Sequence, residues 1–341
     1  MPSPPEACEE CLGRGWPLLS PAPPNVEEIR RALVGAEAWA CCRHDSRYPA
    51  GLTDDPSCPP VLFGRGDPDR LRLLASSRRV VCVVGARRPS AYGRQLAESL
   101  GHELGAAGLV VVSGMALGID SCAHSGALAA GGATVAVLGS GPDVPYPARM
   151  RRLYEEIVDS GLILTELPPG TRARKWTFPA RNRIMAALAA MTVVVEARRR
   201  SGSLITATMA SDLGREVGAV PGRVDNATAA GTNSLLRDGA QVVRRAQDVL
   251  DSLFGAGALE DRIELAAVPG PPLAPELVAV LALVEQGASG GDATAASGLS
   301  AAAAAAALSH LELLGYVRSD SAGRFQRTTL AAPAEAEEAS A

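Results

Sequence analysis

At 341 residues, with 47% apolar and 21% charged side chains, the chain is long enough for two or three domains that each bury a core, and its composition is that of a soluble globular protein. No uncharged apolar run approaches the roughly 20 residues of a membrane span, and no basic start precedes an apolar stretch, so a cytoplasmic protein without a membrane partner is expected. Charge is unevenly spread: residues 80–255 carry 19 basic against 15 acidic side chains and residues 256–341 only 4 against 11, which leaves the middle as the place for a polyanionic partner.

Residues 1–75 read as a divergent, mostly helical N-terminal region. The first 24 are Pro-rich, and Asn25 is placed to cap a helix from Val26 to Val34, with Glu28 as its reciprocal partner. Cys8 and Cys11 form a Cys-x-x-Cys pair, and Cys41, Cys42 and His44 follow some thirty residues later. Cys8, Cys11, Cys42 and His44 are therefore the candidate ligands for a structural zinc. The adjacency of Cys41 and Cys42 and the lack of a clean second spacing argue against it, and the expectation is no metal and no cofactor.

From Val80 the texture changes. Val80–Val84, Leu109–Val112, Ala133–Leu138, Leu162–Thr165, Thr192–Glu196 and Val217–Val220 have strand length and are mostly β-branched, with amphipathic segments such as Tyr92–Ala106 and Ile119–Ala130 between them. Alternation of this kind predicts an α/β domain over residues 76–254: a Rossmann-like, doubly wound, mostly parallel sheet covered on both faces. Residues 255–273, rich in Gly, Ala and Pro, read as a linker. Residues 274–330 offer helices at Glu276–Glu285, Asp292–Ser297 and Ser300–Leu314, then a hairpin within Tyr316–Arg327, the order of a winged helix. Its third helix presents methyl groups from Ala301 to Ala307 and little with which to read bases, which suits a packing or protein-contact role. The tail 331–341 is Ala/Glu-rich and reads as disordered.

Three glycine loops follow successive strands: Gly85-Ala86-Arg87-Arg88, Ser113-Gly114-Met115-Ala116-Leu117-Gly118 and Gly139-Ser140-Gly141. Such loops gather at the carboxyl edge of a doubly wound sheet and let backbone N–H groups approach phosphates. Arg87 stands where a dinucleotide fingerprint needs its second Gly, and no Walker loop exists, which disfavours hydride transfer and ATP hydrolysis. The densest cluster is Lys175–Ala187. It sets Lys175, Arg181 and Arg183 around Phe178 and Asn182; Lys175 is the only lysine in the chain, and no acidic residue lies between Glu166 and Glu196. Cations beside an aromatic at a helix start suit a phosphodiester backbone with a base to stack. The alternative is a solvated basic turn leading into a core helix. His124, one turn after Asp120, is an acid–base candidate by residue type, but its neighbours face other ways around the helix, and it reads as a locally hydrogen-bonded His.

Taken together, Gly85-x-Arg87, Ser113-Gly114-x-Ala116-x-Gly118-Ile119-Asp120, Glu166-x-Pro168-Pro169-Gly170 and Phe178-Pro179-x-Arg181-Asn182-Arg183-Ile184 occur in an order that resembles the bacterial DNA-processing protein A family (DprA, also called Smf). Glu196-Ala197 with Ser201-Gly202-Ser203-Leu204-Ile205-Thr206, Val220-Pro221-Gly222 and Gly231-Thr232-Asn233 continue the match, which runs over roughly residues 45–253. The resemblance implies a single-stranded-DNA-binding protein without catalytic turnover. Such a protein guards incoming strands in natural transformation, helps load the recombinase RecA, and works as a homodimer. Carried over by position, the DNA pocket would use Arg87, Ser113, Gly114, Ala116, Gly118, Lys175, Phe178, Arg181, Asn182 and Arg183, with Gly141 added from the third glycine loop. A nucleoside-monophosphate phosphoribohydrolase on a related fold is the rival, with Arg87 and Glu196 in binding and catalytic roles. The Pro-Gly-Gly-x-Gly-Thr loop expected before its glutamate is absent here.

Overall fold

A computed structural model describes residues 7–13, 25–55, 57–256, 268–269, 273–285, 299–314, 316–319, 325–327 and 330–331. The chain divides into two compact units, Met1–Ala258 and Leu259–Ala341.

The first unit is built on a nine-stranded sheet. Its strands are β1 (Trp39–Cys42), β2 (Val61–Arg65), β3 (Val80–Val84), β4 (Val110–Ser113), β5 (Thr134–Val137), β6 (Leu162–Thr165), β7 (Met191–Val194), β8 (Glu216–Ala219) and β9 (Gln241–Val242). The spatial order is β1-β2-β6-β5-β4-β3-β7-β8-β9. From β6 to β9 every pairing is parallel, while β1–β2 and β2–β6 are antiparallel. Helices α1 (Glu9–Gly13), α2 (Val26–Gly35), α3 (Ala50–Thr53), α4 (Ala91–Ala106), α5 (Ile119–Ala129), α6 (Arg151–Ser160), α7 (Thr177–Leu188), α8 (Gly202–Asp212), α9 (Ala230–Arg237) and α10 (Ala246–Phe254) accompany it. The central strands β3 to β7 are buried along their whole length, as parallel strands with both faces covered must be. The six strands read from the sequence are all present, and the α/β expectation holds. The chain leaves β3 toward β4 on one side and returns through β7 on the other. Such a reversal opens a crevice at the carboxyl ends of the strands.

The N-terminal region departs from expectation. Asn25 does cap α2, its side chain accepting from the Glu27 and Glu28 N–H groups at 3.0 and 3.4 Å. Residues 39–65, however, are not a helical appendage: they supply β1 and β2 to the main sheet, with Phe63 beside Thr165 and Trp39 beside Gly64. Both strands are buried, but with only Val61 β-branched among their nine residues they lack the β-branched runs that mark β3 to β7.

In the second unit, α11 (Pro275–Glu285) and α12 (Ala301–Leu313) bury Leu277, Val280, Leu281, Leu308 and Leu311 with Tyr316 and Val317. The strands β11 (Val317–Ser319) and β12 (Phe325–Arg327) pair antiparallel, as the hairpin reading expects. Within the span read as a linker, β10 (Val268–Pro269) pairs in parallel with β13 (Leu330–Ala331). The helix read at Asp292–Ser297 lies outside the described residues.

Candidate functional site

The crevice beside β3 is a groove of about 380 Å3, lined by Gly85 and Arg87 after β3, Ala116 and Asp120 after β4, Lys175 to Asn182 at the start of α7, and Ser201 to Thr206 at the start of α8. Two helix N-termini thus converge on it, and the free N–H groups there favour an anion. Arg87 and Lys175 are exposed and form no ion pair among the described residues. Ser201 caps α8 by accepting from the Ser203 N–H, and Asn182 Nδ2 reaches the Gly202 carbonyl at 3.4 Å across the groove floor.

Phe178 is the hinge between this groove and a smaller one of about 60 Å3 bounded by Gly114, Leu117, Gly139, Tyr146 and Pro147. The Arg87 guanidinium carbon sits 5.1 Å from the Phe178 ring centre, and Tyr146 meets the same ring at 5.3 Å between centroids, tilted by 40°. Stacking of this kind holds the Arg87 side chain over the ring. It also leaves the exposed Tyr146 as the aromatic with surface to offer.

The three cations of the basic cluster have three different fates. Lys175 points to solvent. Arg181 is buried, donating from Nη1 to the carbonyls of Gly114 and Val137, the latter at 2.6 Å. It faces Asp120, whose carboxylate also accepts from the Gly114 and Ala116 N–H groups at 3.2 and 3.4 Å. Burial lowers the Arg181 guanidinium to about 10 while Asp120 opposes that shift. Burial likewise pushes the Asp120 carboxyl upward, with Arg181 pulling it back. Arg181 therefore fixes the loop after β4 from beneath. A Cβ on Gly114 would stand 2.3 Å from the Arg181 Nη2, which explains the glycine at that point. Gly118 takes φ +89 to start α5, a conformation open to glycine. Arg183 lines neither groove; it is ion-paired with Glu166.

Of the residues named from the sequence, the structure brings Arg87, Gly114, Ala116, Lys175, Phe178, Arg181 and Asn182 to the two grooves. Ser113, Gly118, Gly141 and Arg183 do not line them. Ser113 Oγ is buried and donates to the Val83 carbonyl at 2.6 Å, and Gly141 packs against the Pro168 carbonyl. His124 is buried and hydrogen-bonds Thr134 Oγ1 at 2.7 Å rather than Asp120. Thr134 Oγ1 gives its own proton to the Val111 carbonyl, so His124 Nδ1 is the donor and the ring ties α5 to β4 and β5. Glu196 is equally committed, accepting from the Ser90 N–H and hydroxyl at 2.9 and 2.6 Å where α4 begins. Sequence reasoning missed Tyr146 and the exposed run Arg198-Arg199-Arg200, and it named Ser201-Gly202-Ser203 as a motif without placing it in the site. Three successive arginines ahead of a Ser-capped helix are a local signal that was available.

Comparison with known proteins bears on the family and the fold. The family model described as DNA recombination-mediator protein A matches residues 39–254. Protein Smf of Synechocystis sp. is 35% identical over 315 residues, covering 83% of this chain and 78% of that protein. The crystal structure of DNA processing protein A from Streptococcus pneumoniae superposes with a TM-score of 0.58 at 42% identity, covering 62% of this chain and 72% of that one. DNA processing protein A from Helicobacter pylori, solved for its single-stranded-DNA binding mode, gives 0.55 at 32% identity, covering 62% of this chain and 93% of its own.

Proposed function

The chain belongs to the DNA recombination-mediator protein A family, and from that premise we propose that it binds single-stranded DNA in the groove at the carboxyl edge of its sheet. The observation that carries this reading is the pair of exposed cations, Arg87 and Lys175, which have no ion-pair partner among the described residues and flank Phe178 and Tyr146 beside two helix N-termini. Arg87, Lys175 and the α8 start hold phosphates; Tyr146 and the edge of Phe178 meet a base; Asn182 orients the strand. Recognition of this kind follows the backbone and has little sequence preference. Arg181 and Asp120 act from below, by setting the loop that carries Ala116. The bound strand is then delivered to the recombinase RecA during natural transformation, and the protein acts as a homodimer without catalytic turnover. The Helicobacter relative's single-strand binding supports the first step.

Fluorescence anisotropy of labelled oligothymidine, single- against double-stranded, tests the reading with wild type and Lys175→Ala at two salt concentrations. Salt-sensitive, single-strand-selective binding that weakens in the variant is expected. Equal binding by the variant overturns the groove assignment. Filament-formation assays with RecA and sedimentation of the free protein test the two partners. The phosphoribohydrolase reading has its glutamate occupied by Ser90, and release of ribose 5-phosphate from AMP would revive it.

A further inference from the structure

The N-terminal part of the first unit holds a polar cluster that DNA binding does not use. Cys8 and Cys11 at α1, and Cys42 and His44 at the end of β1, each bring one ligand atom to a common point, all within 4.8 Å of one another. Cys8 Sγ and Cys11 Sγ each lie 3.4 Å from His44 Nδ1, and Cys42 Sγ lies 3.9 Å from Cys8 Sγ. Around a tetrahedral zinc with bonds of about 2.3 Å to sulfur and about 2.0 Å to nitrogen, ligands stand about 3.8 Å apart sulfur to sulfur and about 3.5 Å sulfur to nitrogen. The three spacings Cys8–His44, Cys11–His44 and Cys8–Cys42 match those of a zinc shell, and the remaining pairs stay within 4.8 Å.

Hydrogen bonding alone accounts for this arrangement poorly. A ring nitrogen has one proton or one lone pair to offer, yet two thiols approach His44 Nδ1 equally. The sequence objection, that Cys41 and Cys42 are neighbours, also falls. Strand alternation sends Cys41 into the main core with Leu52 and Leu62, and leaves Cys42 beside α1.

We propose that Cys8, Cys11, Cys42 and His44 bind one zinc ion in a closed, structural Cys3His site. Four protein ligands leave no open position for chemistry. The ion's task is mechanical. α1 has five residues, too few to hold a helix alone, and it covers β1, an outermost strand of the nine-stranded sheet. Ala7, Cys11 and Leu12 pack there on Ile29, Ala40, Val61 and Phe63. The metal clamps this short segment to the face of β1 and β2 at the end of the sheet.

The test is metal analysis of the full chain, purified reduced and passed through a chelator column. One zinc per chain is expected in wild type and in Cys41→Ser, and near-complete loss in the double variant Cys8→Ser/Cys42→Ser. Because serine there also disturbs packing, His44→Cys serves as a second variant: it supplies a fourth thiolate and retains the metal, whereas His44→Ala loses it. Cobalt added to the metal-free protein should give the visible bands of a tetrahedral thiolate site. Wild type that takes up neither zinc nor cobalt, or equal metal in wild type and the double variant, overturns the proposal.

Discussion

The two compact units bury different chemistry. The larger one encloses Asp120, His124, Arg181 and Glu196, whereas the buried side chains described in the smaller one, such as Leu281, Leu308 and Leu311, carry no charge. Buried charges lower stability unless each meets a partner. Here the partners are loop carbonyls and N–H groups, a threonine hydroxyl and a helix cap. The smaller unit has a plain apolar core and an α12 whose exposed face is mostly alanine. The difference teaches that this protein concentrates its polar core where a loop must be held in one position.

The contrast predicts where substitutions hurt. Arg181→Met should have the largest effect: it removes the cation opposite the buried Asp120 and leaves the Gly114 and Val137 carbonyls without that donor, and a loss of about 3–5 kcal/mol in urea unfolding is expected. A change no larger than that of an apolar core swap in the smaller unit would erase the distinction. The His124→Gln variant comes next. Burial lowers His124 to about 3, below its ordinary value of about 6.5, so the unfolded chain binds the proton first. Its stabilisation is complete above the unfolded value and is lost as pH falls from about 6.5 toward about 3, at up to about 1.4 kcal/mol per pH unit. His124→Gln should flatten that slope in a pH series of unfolding curves.

Binding effects should be somewhat smaller and confined to the larger unit. Phe178→Ala releases Arg87 and Tyr146 together and should weaken oligothymidine binding by on the order of 1–3 kcal/mol. Arg87→Ala and Lys175→Ala should each reduce the dependence of log affinity on log salt by about 0.7, with no change between sequences. An unchanged slope removes either residue from the phosphate contacts. Smallest of all, truncation at residue 258 should leave single-strand affinity unaltered, because α12 offers DNA little but methyl groups.

Much of this was legible beforehand. The central strands announce themselves as β-branched runs, and the glycine loops fall after them because the chain must turn tightly at a sheet edge. The cluster Lys175–Arg183 drew notice as a group. Its members were not separable, because a cation's availability depends on what folds against it. Glu166 neutralises Arg183, and the Gly114 and Val137 carbonyls take Arg181, leaving Lys175. Tyr146 escaped notice because only folding carries it from the loop after β5 to the face of Phe178. β1 (Trp39-Ala40-Cys41-Cys42) and β2 (Val61-Leu62-Phe63-Gly64-Arg65) are short and hold a single β-branched residue between them, so they carry little strand signal of their own.

By itself, the sequence determined the parallel α/β frame, its carboxyl-edge loops and the basic stretch that follows them, since periodicity and turn chemistry act between residues close along the chain. The tertiary structure alone decided which cations stay free, which aromatic is open to a base, and that Cys8 and Cys11 meet Cys42 and His44. Those outcomes rest on through-space contacts between distant segments, where charge pairing and ligand convergence depend on distance in the fold rather than separation in the chain.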